Sequence, residues 1–363
     1  MLSFRDYRSD SASWARELDI PVEAVALYLA SDVIDLHVDS FIWDRVFGYD
    51  LRQRHGGRAG APRGAIGRSL WGQVDFPRVR EAQLSGAVWI VTTNPLRSAT
   101  GRTRALLGNL DRLGRLFSSV TDDFALVRTA AEYRQARAQG KHAAFVGIQG
   151  GNALDAGPES IELLPERLVL LVTLVHLTSS RLGRTSSPLR VGGADGLSAL
   201  GQQLVRRLDA ARIFVDLAHA SRRTFFDAVA AHDRSLPLLV SHTGVCGVTP
   251  HWRNLDDEQL RAVADTGGVV GVIYQAEFLG DHWAHGRARS IVAHLAHIVD
   301  TIGEDHAALG SDWDGAITTP EDMPSCLELP RLVTLMLELG WRPERVQKIL
   351  GGNALRAIAA LRG

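Results

Sequence analysis

Eight short apolar runs separated by amphipathic stretches restrict the fold of this chain more than any other feature. They are Val33–Val38, Ala87–Thr92, Ala143–Ile148, Val169–Val175, Ile213–Ala218, Leu238–Ser241, Gly268–Tyr274 and Ala307–Gly310. Val, Ile, Leu and Phe dominate them. A strand with one wet face alternates apolar and polar residues, whereas a nearly continuous apolar run suits a parallel sheet covered on both faces. Helical patterns lie between the runs. In Ala199–Ala211, Leu200, Leu204 and Leu208 recur at four-residue spacing, which marks one face of a helix. Leu255–Thr266 follows Asn254, which reads as an N-cap. Ile291–Ile302, Leu329–Leu339 and Pro343–Leu361 fit the same template, with Pro343 at a helix start. Strands alternating with helices over this length predict an α/β fold, a (β/α)8 barrel of the TIM type. The competitor, a doubly wound sheet, normally carries a glycine-rich phosphate loop after its first strand. Here the first run leads into DSFIWDR, and neither GxGxxG nor GxxxxGK[ST] occurs.

The 363 residues are accommodated by one barrel spanning 1–363, with a helical lead-in over 1–31 and a long loop over 44–74. Val22, Val25, Leu27 and Leu29 suggest that the lead-in ends in a helix. The loop carries Gly56, Gly57, Gly60, Gly64, Gly67 and Pro62 together with Arg45, Arg52, Arg54, Arg58, Arg63 and Arg68. It reads as a solvated loop, or as an active-site lid that gathers an anionic substrate end. Lys plus Arg is 40 against 41 Asp plus Glu, so the chain lacks the basic excess of a nucleic-acid binder. Cys246 and Cys326 form no CxxC and no disulfide framework, which suits a reducing compartment. The N-terminus shows no charged start followed by an apolar segment, so no secretory signal is expected. The longest apolar run, Leu168–Leu177, is interrupted by Thr173 and His176 and falls short of the roughly 20 residues that span a bilayer. A cytoplasmic protein with neither a nucleic-acid nor a membrane partner is expected.

Barrel chemistry sits at the C-terminal ends of the strands. The first run ends IDLHVD, and a period of two puts Asp35, His37 and Asp39 on one inward face. The run 143–148 ends in Gln149-Gly150-Gly151, 169–175 in His176, 213–218 in His219, and 238–241 in Ser241-His242. The last run leads into SDWDG, with Asp312 and Asp314. One histidine at a strand end is ordinarily a hydrogen-bonded core residue, and one aspartate a turn residue. Several imidazoles and carboxylates converging on one barrel mouth instead point to a divalent metal, with zinc favoured by the nitrogen and oxygen donors. The pairs His282/His285 and His294/His297 fall on a loop and a helix away from the strand ends. His55, His142, His232, His251 and His306 are assigned to loops or turns. No GxSxG elbow supports serine hydrolase chemistry.

These residues sit in a recognisable order. IDLHVD (34–39), VDFPRVREAQLSGAVWIV (74–91), FVGIQGG (145–151), LVTLVH (171–176), GLSALGQQLVRRLDAARIFVDLAHAS (196–221), LVSHTG (239–244), WRNLDD (252–257), ALGSDWDG (308–315) and GGNALR (351–356) follow one another along the chain. The series resembles the zinc-dependent renal (membrane) dipeptidase family of the amidohydrolase superfamily. The resemblance implies a (β/α)8 barrel with two metal ions and the hydrolysis of dipeptides. It places His37 and Asp39 on one metal, and His219 and His242 on the other. Gln149 stands where the family has a glutamate bridging both. His176 matches a histidine that steadies the scissile carbonyl, Arg253 an arginine that holds the substrate carboxylate, and Asp312 the acid/base aspartate. Asp35 and Asp314 look like partners that orient ligating imidazoles. The family often dimerises, so a homodimer is an open expectation.

The glutamine is the main departure. A bridging carboxylate offers two anionic oxygens, whereas a carboxamide is neutral and has one oxygen acceptor beside an NH2 donor. Three outcomes are open: weaker binding of two ions (Zn2+), a single ion, or loss of hydrolysis. Val175 and Ser179 also depart from the family, which tends to have Thr before the histidine and Asn three residues after it. The leading expectation is metal-assisted hydrolysis of a dipeptide or a similar small acyl-amino acid. The alternatives are a mononuclear hydrolase of another small amide, lactone or modified peptide, and a catalytically impaired binding or regulatory homologue.

Overall fold

The computed structural model describes residues 2–55, 72–188, 195–282 and 285–363. Among these residues nine strands form one parallel sheet: β1 (Ile34–Val38), β2 (Gly86–Thr92), β3 (Phe124–Leu126), β4 (His142–Gln149), β5 (Val169–Thr173), β6 (Phe214–Asp216), β7 (Leu239–Thr243), β8 (Val269–Val272) and β9 (Ala307–Leu309). Their order is β2-β1-β9-β8-β7-β6-β5-β4-β3, and a further β2–β4 pairing closes the ring. That pairing runs without a break from Gly86↔Ala143 to Thr92↔Gln149. The eight apolar runs are therefore the eight staves of a closed (β/α)8 barrel. Every residue of β1, β2, β4 and β5 is buried, as sheet covered on both faces requires.

β3 was not expected. It pairs only with the start of β4, from Phe124↔His142 to Leu126↔Ala144, whereas β5 takes up β4 from Val146 onward. Three residues, two of them half-buried, carry too little apolar periodicity to show in a sequence. His142, assigned to a loop or turn, instead opens β4. It is a core histidine: its Nδ1 lies 2.7 Å from the Leu84 carbonyl and its Nε2 accepts from Trp89 Nε1 at 3.1 Å. Burial pushes its pKa down to about 3.

The helix expected from Leu255 runs Asp257–Ala264, and its cap is Asp256 rather than Asn254. Asp256 and Gln259 form a reciprocal capping box, which satisfies two backbone donors that a lone Asn cap would not. Asn254 instead donates to the carbonyls of Thr249 and Phe278. The long helix expected over 343–361 is interrupted. It consists of Pro343–Gln347, a π-turn Lys348–Gly352, and Asn353–Arg362. At the π-turn a Cβ on Gly351 would lie 2.6 Å from the Asp32 carbonyl, so this glycine lets the helix pass against the entry to β1. Asn353 then donates to the Glu304 and Ala307 carbonyls, which ties the last helix to the start of β9. The lead-in holds two helices, Ser11–Leu18 and Val22–Ala30. The 44–74 segment begins inside the helix Phe41–Phe47, and its residues 56–71 lie outside the described residues. No described helix is long and apolar enough to cross a membrane.

Candidate metal centre

The C-terminal strand ends bring together the residues that the sequence singles out. His37 lies in β1 and Asp39 follows that strand; Gln149 ends β4, and His242 lies in β7. His176, His219 and Asp312 each come three residues after the end of their strand, β5, β6 and β9. Main-chain bonds join the ends of β1 and β9. Asp312 N donates to the His37 carbonyl at 3.0 Å, and Asp39 N to the Trp313 carbonyl at 2.8 Å. His219, Asp312 and Asp314 adopt left-handed φ values of 63°, 63° and 65°. Such backbone is disfavoured for side chains bearing a Cβ, and it recurs where a structure aims functional groups. Gly315 leaves the space Asp312 needs, since a Cβ there would lie 2.2 Å from Asp312 Oδ1.

Ligand atoms of His37, His242 and Asp312 all lie within 4.8 Å of one another. His37 Nε2 is 3.7 Å from Asp39 Oδ2 and 3.8 Å from Asp312 Oδ1. His219 Nε2 lies 2.9 Å from His242 Nε2. The Gln149 amide nitrogen is 3.4 Å and 3.5 Å from those two nitrogens. The His176 ring stands edge-on to that of His219, with centroids 4.8 Å apart. All these groups are buried except His176, which is half-buried. His37 Nε2, Asp39 Oδ1, Gln149 Oε1, His219 Nδ1 and Arg253 Nε are buried without a hydrogen-bond partner among the described residues. Buried polar atoms left without partners at one barrel mouth are costly unless a ligand satisfies them.

Burial dominates the electrostatics. It pushes His176 down to about 4 and holds His219 and His242 well below the ordinary imidazole range. Such rings are neutral near pH 7, as metal ligands must be. Burial, followed by the neighbouring Asp39 charge, raises Asp312 well above the usual carboxylate range. Burial lowers Arg253 to about 10, opposed by Asp312 and Asp216. Arg253 Nη2 donates to the His242 carbonyl at 2.7 Å, which directs the guanidinium into the same mouth.

Asp35 accepts backbone N–H bonds from His37 and Ser311, both at 3.0 Å, and so fixes the β1 and β9 ends rather than a ring nitrogen. Asp314 accepts from the Ser40 hydroxyl and from Gln73 N at 2.8 Å, neither of them an imidazole, and burial raises it to about 6. Sequence reasoning missed Asp216 and Ser241. Ser241 Oγ lies 2.8 Å from His242 Nδ1 and 3.2 Å from His37 Nδ1, and it donates to Asp216 Oδ2 at 2.6 Å. The available signal was a lone acidic residue inside the apolar run 213–218, and a hydroxyl directly before His242.

Known proteins resemble this chain over most of its length. The model of the membrane dipeptidase family (peptidase family M19) matches residues 22–362. A Klebsiella pneumoniae protein described only as an uncharacterized protein in the pqqA 5′ region is 31% identical over 255 residues, covering 68% of this chain and 92% of its own length. Dipeptidase ataJ of Aspergillus terreus is 28% identical over 316 residues, covering 79% of this chain and 76% of its own. A metallo peptidase from Rhodobacter sphaeroides, solved with a phosphinate mimic of the dipeptide L-Ala-D-Ala, superposes with a TM-score of 0.76 at 23% identity, over 90% of this chain and 98% of that one. The probable dipeptidase PvdM from Pseudomonas aeruginosa superposes at 0.81 with 17% identity, over 96% and 99%. At these identities the structural likeness speaks for the fold.

Proposed function

The chain belongs to the membrane dipeptidase family, peptidase family M19, and from that premise we propose that it hydrolyses dipeptides at a zinc centre held by His37, Asp39, His219 and His242. The observation that carries this reading is that His37 Nε2, Asp39 Oδ1 and Gln149 Oε1, all at one barrel mouth, are buried donor atoms with no hydrogen-bond partner among the described residues. The donor set fits the ion: neutral imidazole nitrogens and a carboxylate are zinc ligands. Gln149 offers one neutral oxygen where a bridging carboxylate would offer two charged ones, so we assign the centre one firmly held ion and one weakly held ion. When bound, the metal supplies Lewis-acid polarisation and brings the pKa of water toward neutrality.

The remaining work belongs to the chain itself. We assign to Arg253, buried and with Nε unpartnered among the described residues, the binding of the substrate's free carboxylate. Asp312, with its raised affinity for protons and its position 3.8 Å from His37 Nε2, is the group to accept a proton from water and return it to the leaving amine. To His176, whose ring stands edge-on to that of His219, we assign donation to the carbonyl oxygen as it gains charge. The free thiols Cys246 and Cys326 suit a cytoplasmic setting. The test compares metal-stripped and zinc-restored protein on free dipeptides. Restoration of hydrolysis by zinc is expected; equal activity in both preparations refutes the metal assignment. Gln149 favours one second reading, a mononuclear hydrolase, and turnover of lactones but not dipeptides by the same zinc-loaded protein would establish it.

A further inference from the structure

Two of the imidazoles share one hydroxyl, and the hydrogens around it can be counted. Asp216 Oδ1 accepts the backbone N–H groups of Ala218 at 3.1 Å and Ser241 at 2.9 Å. Asp216 Oδ2 accepts the hydroxyls of Thr173 at 2.5 Å and Ser241 at 2.6 Å. In both bonds the hydroxyl is the donor and the carboxylate oxygen the acceptor. A serine hydroxyl has one hydrogen and two lone pairs. With its hydrogen directed to Asp216, Ser241 Oγ accepts everything else that touches it. The ring nitrogens at 2.8 Å and 3.2 Å, His242 Nδ1 and His37 Nδ1, must then both be N–H donors. In a neutral ring this leaves both Nε2 atoms as lone pairs, and those atoms face the site, His37 Nε2 being buried and unpartnered. The third ring, His219, has no such anchor among the described residues, where its Nδ1 is without a partner.

The main chain holds the hydroxyl in place. A Cβ on Gly271 would lie 2.2 Å from the Ser241 carbonyl oxygen, and one on Gly310 would lie 1.8 Å from it. Glycine in the adjacent strand β8 (Gly271) and just past the end of β9 (Gly310) lets β7 sit deep at this level, while Asp216 anchors the Ser241 amide. We infer that Ser241 is a shared positioning residue: its single hydroxyl, oriented by Asp216, fixes the Nδ1–H form of His37 and His242 and presents both Nε2 lone pairs to the metal. This rests on the zinc reading above, although the hydrogen count does not depend on it. Removing the hydroxyl leaves two buried N–H donors without an acceptor and both rings free to exchange tautomers, an effect that for partners of metal-bound histidines is typically about 10- to 100-fold in metal affinity.

Two measurements test the inference. The ring nitrogens of the metal-free full-length protein, labelled with 15N-histidine and assigned with His37→Gln and His242→Gln, report the tautomers directly by NMR. Both rings are expected to carry the proton on Nδ1; a proton on Nε2 of either ring overturns the inference. Zinc affinity is then measured by competition with a chromophoric chelator. Ser241→Ala is expected to bind about 10- to 100-fold more weakly and Ser241→Thr to recover part of the loss. Unchanged affinity in Ser241→Ala also overturns the inference. If Ser241→Ala does not fold, the tautomers of the unaltered protein decide. If the unaltered protein binds no zinc, the zinc reading fails while the NMR result still judges the role of the hydroxyl.

Discussion

Gln149→Glu is the substitution whose consequences separate most cleanly, because the same added charge acts in opposite directions with and without metal. Gln149 is 3% exposed, and its amide nitrogen lies 3.4 Å from His219 Nε2 and 3.5 Å from His242 Nε2. At a ligand distance of about 2 Å and an effective dielectric of about 20, one added negative charge attracts a dication by about 16 kcal/mol. Burying the carboxylate offsets several kcal/mol of this, and repulsion from Asp39 and Asp312 offsets more. If four-fifths of the attraction is cancelled, about 3 kcal/mol remains, which is about 100-fold in affinity. Without metal the balance reverses, since the variant adds a carboxylate to a buried site that already holds Asp39 and Asp312. The metal-free variant is therefore expected to melt below the metal-free parent, and the zinc-loaded variant above the zinc-loaded parent. After dialysis against metal-free buffer, elemental analysis is expected to find about one zinc per chain in the parent and about two in the variant. Chelator competition is expected to show the second ion held about 100-fold more tightly in the variant. Equal stoichiometry, equal affinity and melting curves that do not cross would refute the argument that the carboxamide weakens the second site.

Three further outcomes are expected. Asp312→Asn should lower turnover on dipeptides by about 100-fold or more while zinc content is kept; full activity in that variant excludes the proton-transfer role. Arg253→Ala should raise KM for substrates with a free carboxylate by about 10-fold or more and change KM on C-terminally amidated substrates far less; an equal loss on both classes means that the bond from Arg253 to the His242 carbonyl, not substrate binding, carries the effect. Glu304, hydrogen-bonded to Arg345 and Lys348 at 2.8 Å each, is lowered to about 2 by these partners. A carboxylate with a depressed pKa stabilises the fold above its unfolded value of about 4.5, and the contribution disappears as pH falls toward about 2. Glu304→Gln should thus melt about 1–3 °C below the parent at pH 7, and the two curves should converge across that acid range; a gap independent of pH refutes the assignment.

The staves of the barrel were legible because each is buried on both sides, so that apolar runs alone mark them. β3 was not, because three residues that pair along half of one edge leave no pattern to read. The first residues drawn to the barrel mouth were legible for a different reason. His37, Gln149 and His242 lie within strands, while His176, His219 and Asp312 lie three residues past strand ends, so knowing where the strands stop was enough to gather them. Asp35 and Asp314 were gathered by the same rule, yet their bonds hold main chain and Ser40 rather than imidazoles. Position at a strand end brings a group to the mouth without saying which neighbour it serves.

The converse holds for Asp216 and Ser241, whose importance lies in what they touch. Asp216 reads as a stray acid within an apolar strand until the fold brings β5, β6 and β7 side by side and its four acceptor bonds are counted. Ser241 reads as a small polar residue beside a ligand until the ring of β1 arrives from across the barrel. Hydrogen-bond direction is a property of such a network, fixed only when every donor and acceptor in it is known. Gln149 shows the limit from the other side. One heavy atom distinguishes it from glutamate. The effect expected of it is on the charge available to a second ion, which no packing around Gln149 reports and only metal affinity can decide.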